Sequence, residues 1–209
     1  MNLPQIPALP GVAGVFRQRG FSLVEVSIVT AIILLISIAS IPAINNYVIE
    51  NKVPRVGEEM QRFVARLKAN AQGAGVNPYA GITTPALANA LRNSSVLAVS
   101  GQGSGAQVAH GLGGSGVNGS GTVELAPAAA AGGGIGSAFT LTFTDVNDAA
   151  CPSLASVMQR VADVITITGA GGAVVVKDAL ANPPLTYNAG QAETQCAAGD
   201  NNTFVFTVR

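Results

Sequence analysis

The chain of 209 residues carries one histidine, His110, and two cysteines, Cys151 and Cys196. An imidazole without a second histidine or a nearby thiol lacks the partners of a metal site and of a nucleophile–base pair. His110 therefore reads as a solvated loop residue. Asp145, Asp148 and Asp163 come nearest to a calcium set, but they lack the Asp-x-Asp-x-Asp-Gly spacing and its distal glutamate. Calcium stays the minor reading. Gly111-Leu112-Gly113-Gly114-Ser115-Gly116 matches G-x-G-x-x-G, yet no strand precedes it and no helix follows, so a nucleotide site is rejected. No nucleophile elbow, metal-ligand spacing or acid pair is present. The expectation is a protein with no enzymatic activity, no metal and no cofactor. Eleven basic and eleven acidic residues give zero formal net charge, so no global field draws nucleic acid.

The N-terminal segment is more informative. Residues 26–49 contain no charge, and Val26–Ile44 reads VSIVTAIILLISIASIPAI. A membrane-crossing helix needs about 20 such residues. Arg17 and Arg19 precede this run and hold that end in the cytoplasm by the positive-inside rule. A secretory signal places its cleavage site after the apolar core. Here Gly20 stands before it, so a cut at Gly20 leaves the apolar segment on the mature chain. Glu25 lies near the start of the run. A carboxylate in hydrocarbon costs several kcal/mol on most estimates. It is either functional or close enough to the interface to reach water.

Arg19-Gly20-Phe21-Ser22-Leu23-Val24-Glu25 resembles the processing motif of type IV prepilins and type II secretion pseudopilins. The resemblance implies a leader over residues 1–20, cleavage after Gly20 by a prepilin peptidase and methylation of the new amine at Phe21. It also implies that Glu25 pairs with the Phe21 amine of a neighbouring subunit, and that Pro42 bends the helix. The stretch from Asn77-Pro78-Tyr79 to Thr83 is similar to the segment after the long helix in type IVb pilins, and Cys151 and Cys196 resemble the disulfide-bounded region of major pilins, which together point to a IVb-like major pilin. The implied life history is an inner-membrane precursor drawn by an assembly platform and its ATPase into an extracellular helical homopolymer. A minor pilin or pseudopilin is the alternative within the class. A signal-anchored periplasmic binding domain is the alternative outside it.

The elements that position these residues follow from periodicity. Val53, Val56, Met60, Phe63 or Val64, Leu67 and Ala71 recur at three- and four-residue steps, the stripe of an amphipathic helix. One long helix over 22–71 is predicted, with interruptions at Pro42, Pro54 and Gly57; two helices broken near Pro54 are the alternative. The domain division is leader 1–20, helix 21–72 with its filament-core half 21–44, and head 73–209. Thr84 is a candidate N-cap ahead of a short helix over 85–92. Residues 101–136 hold 13 of the 25 glycines and one charge, Glu124, and read mostly as loop. Strands are predicted at 121–125, 138–144, 164–168, 173–177 and 203–208, with a helix over 152–163. Runs of strands beside segregated helices give an α+β head with an antiparallel sheet. With a membrane-directed N-terminus, Cys151 and Cys196 are expected to form one disulfide outside the cytoplasm and to bound a surface region over 151–196. Two buried unpaired thiols are the alternative.

Overall fold

The computed structural model describes residues 20–209, apart from the Pro42 side chain. Arg17, Arg19 and the rest of the leader lie outside the described residues. The chain divides into two compact units, one ending at Ile41 and one spanning Pro42–Arg209. Helix α1 runs Leu23–Ala71 and belongs to both. In the first unit it is apolar on every side, and its large side chains are exposed, from Leu23 at 89% to Ile38 at 70%. It is long and apolar enough to cross a membrane.

In the second unit α1 becomes one-sided. Val53, Val56, Met60, Phe63 and Val64 are buried, and Arg62 reaches Glu58 (3.6 Å) and Glu59 (3.5 Å) on the outer face. Each buried side chain contributes roughly 1.5–3 kcal/mol. That burial holds the helix unbroken through Pro54, whose missing N–H would otherwise cost about 3 kcal/mol; the broken alternative is not observed. Gly57 does not interrupt the helix either. A Cβ there would sit 2.3 Å from Val157 Cγ1, and Gln61 Nε2 donates to the Val157 carbonyl at 2.8 Å. Gly57 is the point where α3 (Cys151–Met158) touches α1.

The remaining elements follow in chain order. They are α2 (Thr84–Leu91), β1 (Ala98–Ser100), β2 (Gln107–Ala109), β3 (Val123–Ala129), β4 (Ile135–Val146), then α3, β5 (Val164–Gly169), β6 (Gly172–Asp178), α4 (Ala189–Gln195) and β7 (Asn202–Val208). β1 and β2 form a small antiparallel pair; the main sheet is antiparallel in the order β3-β4-β7-β5-β6. Its register aligns two apolar rows on one face. Leu125, Leu141, Phe206 and Ile165 form one row; Val123, Phe143, Phe204 and Ile167 form the other. All eight are buried. Threonines alternate with them on β4 and β7, giving the period-2 pattern of a half-covered sheet.

The predicted α+β class and the strand pairs hold, and the differences are local. The N-cap position of α2 is held by Thr83, not Thr84, and its side chain makes no capping hydrogen bond. The Thr84 hydroxyl instead accepts from the Leu125 N–H (3.1 Å) and faces its carbonyl (3.5 Å). Helix α3 stops at Met158 rather than 163, and Lys177 donates to the Gln159 and Ala162 carbonyls at 2.6 Å each beyond its end. A cation there satisfies orphan carbonyls and opposes the helix dipole. Helix α4 was not predicted. The alanine-rich stretch at 128–134, within the segment read mostly as loop, is the end of β3 and a turn in which Ser137 Oγ accepts from the Ala130 N–H (2.9 Å).

The contact at Gly57 is directly testable. Gly57→Val should lower unfolding stability by about 1–3 kcal/mol, the usual cost of overpacking. Adding Val157→Ala should recover part of that loss. Urea unfolding of the detergent-solubilised chain, followed through Tyr fluorescence, reads both; an unchanged midpoint in Gly57→Val would refute close α1–α3 contact.

Candidate functional site

Among the described residues, the processing segment begins at Gly20, outside any helix or strand. Gly20 has nothing within 4 Å of where a Cβ would stand, and Phe21 is 86% exposed. The Gly20–Phe21 bond therefore lies open, just ahead of α1. Ser22 caps the helix: its Oγ accepts from the Val24 N–H at 3.3 Å. Glu25 Oε2 accepts in return from the Ser22 N–H at 3.0 Å. This is the Ser-x-x-Glu capping box, visible in the sequence as Ser22 and Glu25 but not read there. It places a carboxylate in the first turn, where the helix dipole favours it. Cleavage would put a new amine at Phe21, one residue before the cap and four before Glu25.

The rest of the apolar half meets its polar needs internally. Ser27, Thr30, Ser37 and Ser40 hydroxyls donate to the carbonyls of Val24, Val26, Ile33 and Ile36 at 2.6–2.8 Å. Such back-bonding leaves no hydroxyl unpaired in hydrocarbon. Glu25 is the one charged side chain between Phe21 and Ile49.

In the head, Cys151 and Cys196 form a disulfide with Cα atoms 5.9 Å apart. It ties the start of α3 to the end of α4 across 45 positions of sequence. Closing a loop of this size stabilises the fold by on the order of 4 kcal/mol in the chain-entropy account. Asn202, fully buried, secures the chain beyond Cys196. Its Nδ2 donates to the Val146 and Ala197 carbonyls (3.0 and 2.9 Å), and its Oδ1 accepts from the Ala197 N–H (2.7 Å). Burial pushes the phenols of Tyr79 and Tyr187 up, with the Asp163 carboxylate adding at Tyr79.

One head residue differs from its sequence reading. His110 is not solvated; it is fully buried against Phe143, with ring centroids 5.6 Å apart. Nε2 donates to the Thr144 carbonyl (2.8 Å) and Nδ1 accepts from the Leu112 N–H (3.0 Å), so the ring is neutral with both nitrogens engaged. It fastens the glycine-rich segment to β4, and residues 103–123 are correspondingly ordered by turns and short strands rather than free. Asp145 and Asp163 take backbone roles. Asp145 occupies the β4 bulge at φ +51°, and Asp163 Oδ2 accepts from the Arg209 N–H (2.8 Å). Among the described residues no three His, Cys, Asp or Glu side chains converge as a metal set.

Burial holds the His110 pKa below its ordinary value, outweighing the Thr144 bond and the Asp145 and Asp200 charges. The native ring stays neutral where the unfolded ring takes a proton, near pH 6.5. Stability contributed by this site is thus complete above about pH 6.5 and declines as pH falls below it, by at most about 1.4 kcal/mol per pH unit. His110→Asn should unfold more easily at neutral pH yet show a flatter stability profile between about pH 6.5 and 5. Thermal unfolding across that range distinguishes the two; parallel profiles would exclude His110 as the titrating group.

Comparison with known proteins adds to this geometry. The family model described as "PilS N terminal" matches residues 58–209, and the "Prokaryotic N-terminal methylation motif" matches residues 15–41. No curated protein matches the chain. Among solved structures, the chain is similar to a type IVb pilin from Salmonella typhi at 22% identity, covering 73% of this chain and 95% of that one, with a TM-score of 0.46. It is also similar to TcpA, a type IV pilin from Vibrio cholerae El Tor biotype, at 12% identity, covering 77% and 99%, with a TM-score of 0.47. With its head matched throughout and its methylation motif in place, the chain belongs to the PilS family and is a type IV pilin.

Proposed function

We propose that this chain is the major, IVb-like subunit of a pilus and that its role is structural rather than enzymatic. The observation that carries the reading is the N-terminal arrangement. An open Gly20–Phe21 bond directly precedes a capped helix whose every face is apolar up to Ile44. The precursor rests in the inner membrane with its leader in the cytoplasm. A prepilin peptidase cuts after Gly20, and Phe21 becomes the methylated N-terminus. The helix then exchanges lipid for neighbouring helices in a polymer built by repeated heterologous contacts. Glu25 pairs with the Phe21 amine of an adjacent copy, two opposite charges neutralising each other where neither is stable alone. An assembly platform and its ATPase supply the work. The disulfide-bounded region over 151–196 faces outward from the filament. The Asn77-Pro78-Tyr79 segment after α1 supports the IVb assignment, and the Cys151–Cys196 disulfide supports the major subunit.

Mass spectrometry of sheared surface filaments tests the whole reading by reporting the N-terminal residue, its methylation and the disulfide together. Gly20→Val should accumulate as uncut membrane precursor, because a β-branched side chain obstructs the bond; normal processing of that variant would overturn the cleavage site. Glu25→Ala should still insert and be cut, but should yield few filaments. Wild-type filament yield from Glu25→Ala would overturn the proposed pairing.

A further inference from the structure

Between β2 and β3 the chain makes an excursion that little apolar packing holds. Over residues 111–120 the one buried apolar side chain is Leu112. Gly111 and Gly121 flank the excursion at φ +63° and +68°, a left-handed backbone that glycine enters and leaves at little cost. The backbone N–H of His110 closes its base on the Gly121 carbonyl at 3.2 Å. The ties to the rest of the head are polar. The Leu112 carbonyl accepts from the Asn147 N–H (2.8 Å), the Gly114 N–H donates to Asp200 Oδ2 (2.9 Å), and Lys52 Nζ reaches the Gly111 carbonyl at 3.5 Å. The fourth is the Leu112 N–H on His110 Nδ1, at 3.0 Å. A segment with so few buried apolar contacts belongs to the low-stability end of local opening. The start of β3 is fastened separately, because the Thr122 N–H donates to Thr144 Oγ1 at 3.1 Å.

Acid acts on the fourth tie. His110 Nε2 is spent on the Thr144 carbonyl at 2.8 Å, so Nδ1 must accept and the ring must be neutral. An imidazolium carries a donor on each nitrogen. A second proton therefore sets Nδ1–H against the Leu112 N–H, strands that buried donor and leaves a cation enclosed beside Phe143. Charged groups reach this site from three elements. Asp145 at the β4 bulge and Asp200 ahead of β7 attract a proton, and Lys52 on α1 carries the opposite sign. Burial outweighs the two carboxylates, so the closed site refuses a proton that a solvated ring takes near pH 6.5.

We propose that His110 and residues 111–121 form an acid-released latch, in which protonation frees the excursion to swing out about Gly111 and Gly121 while the five-stranded sheet stays paired. The open form binds more protons than the closed form. The opening constant is therefore level above about pH 6.5 and rises by up to about tenfold for each pH unit below it. Opening uncovers the β4 bulge, where the Asn147 N–H and the Asp200 carboxylate lose their partners on Leu112 and Gly114.

Hydrogen exchange of the full chain in neutral detergent, read by mass spectrometry, tests the latch, with protection taken relative to the free-peptide rate at each pH. Peptides over 111–121 should lose about tenfold in protection between about pH 6.5 and 5, and those over β4, β5 and β7 should keep theirs. In His110→Asn, protection over 111–121 should not change across that range. Constant protection over 111–121 in the unsubstituted chain overturns the proposal. So does an equal loss in β5 and β7, which makes the opening global. A loss that persists in His110→Asn assigns the titration to another group and overturns it as well. The unsubstituted chain supplies the first two outcomes by itself, so the latch stays refutable where His110→Asn fails to fold.

Discussion

The governing constraint is a helix surface that has no place in water. From Leu23 to Ile44 the large side chains of α1 are half or more exposed on all sides. Burial of apolar area is favourable by about 25 cal/mol per Å², so this surface must be taken up by lipid or by other copies of itself. The chain is built to make both environments acceptable. Serine and threonine hydroxyls in this half are returned to the helix's own carbonyls, so neither lipid nor a neighbouring helix has to supply a polar partner. The exception is Glu25. Its carboxylate is held by the Ser22 N–H, a single neutral donor that leaves most of its charge uncompensated. A cation brought to that end of the helix would compensate this carboxylate.

The same helix must end its apolar character abruptly. Beyond Ile49 it turns one face to the head and the other to solvent, and the burial of Val53, Val56, Met60 and Val64 fixes which face is which. Gly57 then lets α3 approach closely enough for its Val157 to touch the helix backbone. The disulfide begins at the first residue of α3. The stapled region and the helix therefore meet closely at Gly57, and a side chain there would push Val157 away.

Much of this was legible in the sequence, for physical reasons. The 3.6-residue stripe of α1 and the alternation on β4, β5 and β7 are strong periodic signals, and two cysteines admit one intramolecular pairing. What escaped was nonlocal. His110 looked solvated because its neighbours are glycines, but its partners, Phe143 and Thr144, lie more than thirty positions away. Thr84 carries the composition of an N-cap; Thr83 takes that position, which frees the Thr84 hydroxyl for a strand 41 residues on. Gly57 read as a helix breaker because its spatial neighbour, Val157, is unknowable from local propensity. Helix α4 has the weak composition AGQAETQ and is fixed at its ends by the Asn188 cap and the disulfide. The capping box at Ser22 and Glu25 could have been read, since its spacing is local.

The head's sheet has two edges, and the chain covers part of each. An open sheet offers unpaired N–H and C=O groups at each edge, a template for uncontrolled pairing between copies. On β3 the outward backbone groups are those of Val123, Leu125, Pro127 and Ala129. The Thr84 hydroxyl occupies both groups of Leu125, and Pro127 has no N–H to offer. The small β1–β2 pair guards the start of the strand through the Ala109–Thr122 bridge. At the far edge, β6 is met by the chain returning toward α4: Asp178 exchanges backbone bonds with Leu185 at 2.9 and 2.8 Å, and the Asn188 N–H reaches the Val176 carbonyl at 3.1 Å. That returning segment lies inside the disulfide loop. The staple thus does more than stabilise the head, because it holds in place the cover of the sheet's second edge. Part of each edge is thereby occupied, and those stretches offer less of a template for strand pairing with another chain.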